Sequence, residues 1–245
     1  MDYFIGQVLP YWAVVVFAAG MIYRLYNWLK IPAPFAITLF PFAGTGGRGS
    51  FNAIKEIIFF SRLFRTNKLL WLLAWLMHGS LALIIIGHIS GIYFLREQFV
   101  LLALTPDASR QLSMILSGVT GSVFVISLIG LLVRRIGEAE VRITTKISDI
   151  IDLLWLLAIA VTGFLMRYPE FHGPELPQVR DYLAGLLALK PGPLPDSPLF
   201  SAHVLLVSLF AMYIPFSKVV HMAGSLVIHN LITERPPVYP TSGGL

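Results

Sequence analysis

Four of the six histidines lie inside long apolar stretches, and they are the residues whose type and spacing best suit chemistry. They are His78, His88, His203 and His221. An ionisable residue in a membrane span indicates function, because it is costly to leave unpaired in hydrocarbon. A single such histidine is more often a core residue bonded to a nearby carbonyl. Two on each of two helices disfavour that interpretation, and imidazole is a standard axial ligand of haem iron.

The opposite directions of the two histidine-bearing helices determine which histidines lie at the same depth in the membrane. Consecutive spans alternate in direction, so we expect His88 to face His203 on the outer side and His78 to face His221 on the inner side. This arrangement predicts two haems b stacked across the membrane. The separations are unequal, since ten residues of helix rise about 15 Å and eighteen rise about 27 Å. Tilted helices, or a bend at Pro215, would absorb the difference.

Five apolar stretches are predicted to position these residues. Each is near the length of about 20 residues that a span requires. Their approximate ranges are 5–23, 69–95, 112–133, 150–166 and 199–220, and the last is expected to continue as a cytoplasmic helix to about residue 232. The chain is 56% hydrophobic and 13% charged, about half the charged fraction of soluble domains. We therefore predict an all-α integral membrane protein, a dihaem bundle forming a single membrane domain over residues 1–245.

Charge predicts the orientation. Thirteen of the 18 lysines and arginines fall before the second span, between the third and fourth, or from the inner end of the fifth span onward. Basic residues mark the cytoplasmic side, so the N-terminus is predicted outside and the C-terminus in the cytoplasm. This bias also accounts for the net charge of +5, and no nucleic-acid partner is expected.

The connectors between the spans have predictable structure, and the absence of cysteine excludes some cofactors. Residues 30–68 are predicted to form a cytoplasmic connector with an amphipathic helix at 51–64, lying on membrane lipid or covered by a partner. A glycine cluster at 44–50 is interpreted as a hinge, and residues 168–198 as an outer loop with a short helix near 181–189. With no cysteine, the chain cannot hold an iron–sulfur cluster through thiolates or attach a c-type haem.

Small and charged residues near the histidines are candidates for the haem surroundings. Four glycines would leave room for a macrocycle: Gly79, Gly87, Gly91 and Gly118. Ordinary packing of membrane helices explains such glycines equally well. Arg142 and Lys218 are candidates for the inner propionates, and Arg110 and Arg167 for the outer ones, although each also suits an interfacial anchor. Asp149 and Asp152 suit the start of the fourth helix, and His172 and His229 are expected at the surface.

Four segments carry a family resemblance. They are MHGSLALIIIGH at 77–88, LLVRR at 131–135, VRITT at 141–145 followed by Asp149, and IPFSKVVH at 214–221. On these, the chain resembles the gamma subunit of respiratory nitrate reductase, a five-span dihaem cytochrome b that oxidises quinol. Its connector is longer, and KEIIFFSR at 55–62 is more similar to the membrane cytochrome b of the complex associated with dissimilatory sulfite reduction.

The resemblance implies a function. In the cytoplasmic (inner) membrane of a prokaryote, the chain would be the electron-transfer subunit of an oxidoreductase that oxidises menaquinol, or reduces the quinone, near the outer haem. Electrons would continue through the inner haem to a cytoplasmic iron–sulfur partner like heterodisulfide reductase, within a larger complex for sulfur-compound respiration. The family has a lysine near its quinol pocket. Arg110 is the nearest basic residue in this chain.

Two alternatives remain open. The first is a gamma subunit of nitrate reductase itself, whose partner carries molybdenum, and the lengthened connector argues against it. The second is a haem-free membrane transporter or anchor whose histidines form a proton path. Transporters more often show repeated halves with broken helices, and the sequence has no visible repeat.

Overall fold

The described part of the chain consists of helices and their connections. The computed structural model describes residues 1–30, 55–94, 97–221 and 224, and within these ranges it contains no strand. Five helices are long and apolar enough to cross a membrane, which confirms the predicted number of spans for the described residues. The glycine cluster at 44–50 and His229 lie outside the described residues.

Eight α-helices of these ranges are numbered in chain order. They are α1 (Leu9–Lys30), α2 (Ser61–Thr66), α3 (Lys68–His88), α4 (Pro106–Gly137), α5 (Ala139–Thr144), α6 (Ile147–Leu165), α7 (Leu176–Leu187) and α8 (Pro198–Tyr213). Two π-helical segments, Phe4–Val8 and Ile89–Phe94, extend α1 and α3. Short 3-10 segments occupy Gln98–Leu102, Pro169–Phe171, Ile214–Phe216 and Lys218–Val220.

Capping residues define where three of the spans begin. The side chain of Asn67 accepts from the backbone N–H of Leu70 at 2.8 Å. Thr105 and Ser197 act in the same way before α4 and α8, each followed by a proline in the first turn. Side-chain acceptors satisfy amide groups that have no partner inside the helix, and proline there loses no hydrogen bond. The Thr105 cap starts α4 at Pro106, six residues before the predicted 112–133, and the helix also extends to Gly137.

The fifth span ends differently from the prediction. The α-helix stops at Tyr213, residues Ile214–Phe216 form a 3-10 turn, and Ser217 is extended with φ −107° and ψ 176°. Pro215 contributes to the break, because it has no N–H to continue the helical bonding. The sequence allowed a bend at Pro215, but the predicted helix is broken between Ile214 and His221, and most of its predicted extension lies outside the described residues.

The connector before α3 is also broken. Residues 55–59 are helical, but Phe60 has φ 50°, so the predicted amphipathic helix is interrupted there. The segment folds back on α3, since the Trp71 and Trp75 indoles donate to the carbonyls of Phe59 and Ile58 at 2.7 and 3.2 Å. The loop helix α7 begins earlier than predicted, at Leu176.

The long helices pack in a sequence of neighbours. α3 packs on α4, α4 on α6, α6 on α8, and α8 on α1. Glycines allow two of these close contacts, because a Cβ at Gly130 would meet Leu73 at 2.8 Å and one at Gly121 would meet Phe164 at 2.9 Å. The histidine-bearing helices α3 and α8 are thus linked mainly through α4 and α6.

The two ends of the bundle are distinguishable. At one end of the bundle, α1, α4 and α8 finish and α3 and α6 start, and we call this the basic end. At this end, Arg24 donates from Nε to the Pro215 carbonyl at 2.7 Å. At the opposite end, α7 closes over the helices. The Tyr182 hydroxyl donates to the Gly6 carbonyl at 2.6 Å, and the Tyr11 hydroxyl donates to the Leu186 carbonyl at 2.9 Å.

Candidate functional site

One histidine pair lies toward the basic end. The ring centroids of His78 and His221 are 5.9 Å apart, and their planes are at 86°. A metal bound by both imidazoles at a metal–nitrogen distance of about 2 Å would hold the centroids about 6 Å apart. The observed separation fits one metal between the rings. The helix break before Ser217 contributes to this placement, since His203 and His221 are not on one straight helix.

The second pair lies further along α3, toward the opposite end. His203 and His88 are close enough to interact electrostatically. His203 Nδ1 lies 2.8 Å from the Thr162 hydroxyl of α6. A Cβ at Gly163 would approach His203 Cε1 at 3.0 Å, so this glycine allows the imidazole to lie against α6. The structure therefore juxtaposes both predicted pairs, while their role as ligands stays a prediction.

All four imidazoles use Nδ1 for a hydrogen bond within the protein. His78 and His88 contact the carbonyls of Ala74 and Ile84 at 2.8 and 2.7 Å. A carbonyl only accepts, so Nδ1 carries the proton. The Thr162 hydroxyl has its own helix carbonyls as acceptors, at 2.9 and 3.0 Å, and can accept from His203. Nε2 then has its lone pair available for a metal, as in metal-binding histidines generally.

The predicted glycines fall into two groups. A Cβ built at Gly79, Gly87 or Gly118 would have no heavy atom within 4 Å outside its own helix, among the residues that the structure describes. These positions adjoin open space, which is compatible with a bound macrocycle. Gly91 differs, because a Cβ there would meet the Gln98 side chain at 3.1 Å. Its carbonyl instead accepts from a neighbouring arginine at the end of the bundle.

Two residues beside the histidines were not identified from sequence. The Phe60 ring lies edge-on to His78, with centroids 5.2 Å apart, and it reaches this position through the helix break at Phe60 itself. Thr162 is the other. The sequence pattern did not indicate either residue, because many residues of the chain separate each one from the histidine that it contacts.

The basic end contains an ionic cluster centred on Asp149. Its buried carboxylate binds Lys218 and lies 3.5 Å from the Arg135 guanidinium. It also accepts from the Lys146 backbone N–H at 3.1 Å, which confirms its predicted place at the start of α6. Of the two basic residues predicted beside the inner haem, Lys218 therefore pairs with Asp149, and Arg142 is exposed on α5.

A second polar cluster lies at the opposite end, beyond His88. Glu97 lies 3.5 Å from Arg110 and 3.7 Å from Arg180. The Arg180 guanidinium donates to the Gly91 carbonyl at 2.9 and 3.2 Å. Arg110 is 64% exposed, so the predicted quinone residue belongs to an accessible ionic group. Sequence reasoning missed Glu97 and Arg180.

Two further predicted residues lie at this end. Arg167, a candidate for the outer propionates, is close enough to His88 to interact with it electrostatically. His172 is exposed, as expected for a surface histidine, and has φ 52°. His172 therefore offers a histidine that can be changed without disturbing either pair.

Comparison with known proteins identifies a family and several relatives of this chain. The sequence model of the family described as nitrate reductase gamma subunit matches residues 33–239. The Hdr-like menaquinol oxidoreductase cytochrome b-like subunit of Archaeoglobus fulgidus is 30% identical, over 89% of this chain and 76% of that protein. The respiratory nitrate reductase 2 gamma chain of Escherichia coli is 28% identical, over 60% of this chain and 68% of its own.

A third relative broadens the group. It is one subunit of the dihydromethanophenazine:CoB–CoM heterodisulfide reductase of Methanosarcina acetivorans, and it is 25% identical over 88% of this chain and 86% of that protein. These relatives are all named as parts of oxidoreductases. With the family match covering most of the sequence, this chain belongs to the nitrate reductase gamma subunit family.

Proposed function

We propose that this chain is a dihaem membrane cytochrome b that exchanges electrons between quinone and a cytoplasmic partner. The observation that carries the proposal is the proximity of the His78 and His221 imidazoles, together with the second pair at His88 and His203. Each imidazole has Nδ1 engaged and Nε2 available. Two haems b, when bound between these pairs, would supply the one-electron chemistry that the protein side chains lack.

The opposite end is the proposed side of quinone exchange. The A. fulgidus relative is named a menaquinol oxidoreductase subunit, and menaquinol is the substrate we assign here. Arg110 is exposed and positioned by Glu97, so its guanidinium can donate to a quinone oxygen. Oxidation of a quinol releases two electrons and two protons. The electrons enter the chain beside His88, and the protons leave to the outer aqueous phase at this end.

The basic end is proposed to face the cytoplasm, with the N-terminus outside. Basic residues are retained on the cytoplasmic side of membrane proteins. Lys68, Arg135, Lys146 and Lys218 all lie at or near that end. We place the chain in the cytoplasmic membrane of a prokaryote. Residues 168–198 then form the outer loop, and the connector at 30–68 lies inside.

The basic end is also the proposed docking surface for an iron–sulfur partner resembling heterodisulfide reductase. Two relatives carry heterodisulfide reductase or Hdr-like in their names. Ile143 and Ile147 are 86% and 78% exposed beside Arg142, so an apolar and basic surface is available around α5. The partner is necessary for cluster chemistry, because this chain has no cysteine. Sulfur-compound respiration is the process we assign to the complex.

Haem content per chain tests the proposal. The protein is purified in mild detergent, and a pyridine haemochrome assay is combined with a reduced-minus-oxidised spectrum. We expect about two haems b per chain, and about one in His78→Ala and in His88→Ala, because each variant removes one axial ligand. His172→Asn is the matched control and should retain both, since asparagine tolerates the positive φ at this position.

The result also separates the alternatives. A folded preparation without haem would refute the electron-transfer proposal and favour a transporter or anchor. If both haems are present, the subunits that co-purify decide between an iron–sulfur partner of the heterodisulfide reductase type and a molybdenum-containing nitrate reductase.

A further inference from the structure

We infer that the ion pair between Asp149 and Lys218 positions His221, the proposed inner ligand, and so sets the orientation of its imidazole. This inference rests on the proposed function. It assigns Asp149 and Lys218 as positioning residues, which act through His221 and not by direct contact with the haem.

The backbone around His221 lacks the support of a continuous helix. The chain passes from the 3-10 turn at Ile214–Phe216 through extended Ser217 into a second short turn at Lys218–Val220. A short 3-10 turn has poorer hydrogen-bond geometry than an α-helix. The orientation of His221 must therefore depend on contacts from elsewhere in the bundle.

Lys218 makes one local contact and one contact with another helix. Its carbonyl accepts from His221 Nδ1 at 3.0 Å, and its ammonium group binds the Asp149 carboxylate. The side chain thus fixes the residue whose backbone orients the imidazole. In a ligating histidine, a hydrogen bond from the ring nitrogen that does not bind the metal fixes the orientation of the ring and tunes its basicity.

Asp149 is a rigid anchor for this contact. Its side chain is 9% exposed and lies in the first turn of α6, where it accepts from the Lys146 N–H. Arg135 of α4 lies 3.5 Å away on the other side. The carboxylate is the buried member of the cluster, since Lys218 is 59% exposed and Arg135 37%. The cluster therefore connects α4 and α6, which separate the two histidine helices, to the segment that carries His221.

Three variants separate positioning from simple electrostatics. Asp149→Asn keeps an acceptor for the Lys146 N–H but removes the negative charge, and Lys218→Met removes the positive charge with similar length. Their direct effects on a nearby redox potential have opposite signs. The double variant Asp149→Asn/Lys218→Met has the same net charge as the native pair, so a purely electrostatic effect would cancel in it.

The readouts are the low-spin ferric EPR signals and the midpoint potentials of the two haems in the purified chain. The EPR signal reports the relative orientation of two axial imidazoles, which charge alone does not change. We expect the inner-haem signal to shift, or that haem to be lost, in both single variants and in the double variant. The outer-haem signal should not change, which shows that the bundle remains folded.

Two controls complete the design. Lys218→Arg should restore the native inner signal, because it retains a cation near Asp149. Arg135→Met removes the other cation of the cluster, which belongs to α4 and not to the His221 segment, and should leave the signal in place. If Asp149→Asn does not fold, Lys218→Met compared with Arg135→Met decides the question.

A native inner signal in Lys218→Met, or full cancellation in the double variant, would overturn the inference while leaving the dihaem proposal intact. A shift in Arg135→Met as large as that in Lys218→Met would also overturn it. By contrast, a native chain without haem refutes the proposed function itself.

Discussion

At the scale of single residues, the four imidazoles differ in how their Nδ1 atoms are held. His78, His88 and His221 contact backbone carbonyls three or four residues earlier in the chain. For His78 and His88 the acceptor belongs to a continuous α-helix, so most side-chain substitutions leave it in place. The acceptor of His221 is the carbonyl of Lys218, whose placement we assign to the ion pair with Asp149. His203 contacts the Thr162 hydroxyl of another helix instead. Its orientation therefore depends on a group that one substitution removes.

Thr162→Val should weaken the outer site selectively. Valine has nearly the same shape but cannot accept from His203 Nδ1. Loss of a partner to a ligating histidine typically costs about tenfold or more in metal affinity. We expect faster loss of the outer haem to a competing apoprotein, measured by absorbance. Thr120→Val is the control, because the Thr120 hydroxyl donates to carbonyls of its own helix. Equal haem loss in the two variants would contradict this role for Thr162.

At the scale of helices, α1 packs closely against the segment at Pro215 where the helix after α8 is broken. Gly20 of α1 is buried against Pro215, and a Cβ at Gly20 would lie 2.7 Å from the proline Cβ. The proline ring is tied to the backbone and cannot rotate away. Arg24, one turn later, donates to the Pro215 carbonyl. The contact between α1 and α8 is therefore specific at this level of the bundle.

Gly20→Val should destabilise the bundle by overpacking. Inserting side-chain atoms into a filled contact typically costs about 1–3 kcal/mol. We expect a lower thermal unfolding midpoint in detergent, followed by circular dichroism. Ala19→Val, at the exposed neighbouring position on the same helix, adds a β-branched residue without the contact. If both variants unfold at the native midpoint, α1 does not depend on this close approach.

At the scale of the whole molecule, the two ends differ in chemistry. The basic end holds the Asp149 cluster and exposed isoleucines, and the opposite end holds Glu97 with Arg110 of α4 and Arg180 of α7. The proposed quinone exchange and partner docking are therefore separated by the length of the spans. Electrons cross the membrane in the same direction in every chain only if all chains have one orientation in the membrane.

Labelling of single cysteines tests that orientation, and the chain has no native cysteine to interfere. Glu140 at the basic end and Glu175 at the opposite end are both exposed. In intact spheroplasts, a membrane-impermeant maleimide should label Glu175→Cys and not Glu140→Cys. Lysis should make Glu140→Cys reactive. Labelling of Glu140→Cys in intact spheroplasts would show that the orientation is reversed.

The sequence was sufficient for the features that depend on composition and periodicity. Five spans follow from apolar runs, since lipid requires them to be long and uncharged, and the unusual residues within those runs are the four histidines. The sequence was not sufficient where distant segments meet. The bond from His203 to Thr162, the positive φ of Phe60 and the Asp149 cluster each require the tertiary arrangement. Pro215 indicated a bend, but the full break at Ser217 depends on its packing neighbours.

The pairing of α1 with α8 has a consequence for biosynthesis. Among the spans that the structure describes, the first in chain order packs against the last. During synthesis, α1 must therefore remain in the bilayer without its native neighbour until α8 has been inserted. Its 22 residues, from Leu9 to Lys30, contain no acidic side chain and have basic ones only at Arg24 and Lys30, so lipid can accommodate it alone while it waits. Closure of the bundle is thus completed only after α8 has been synthesised and inserted.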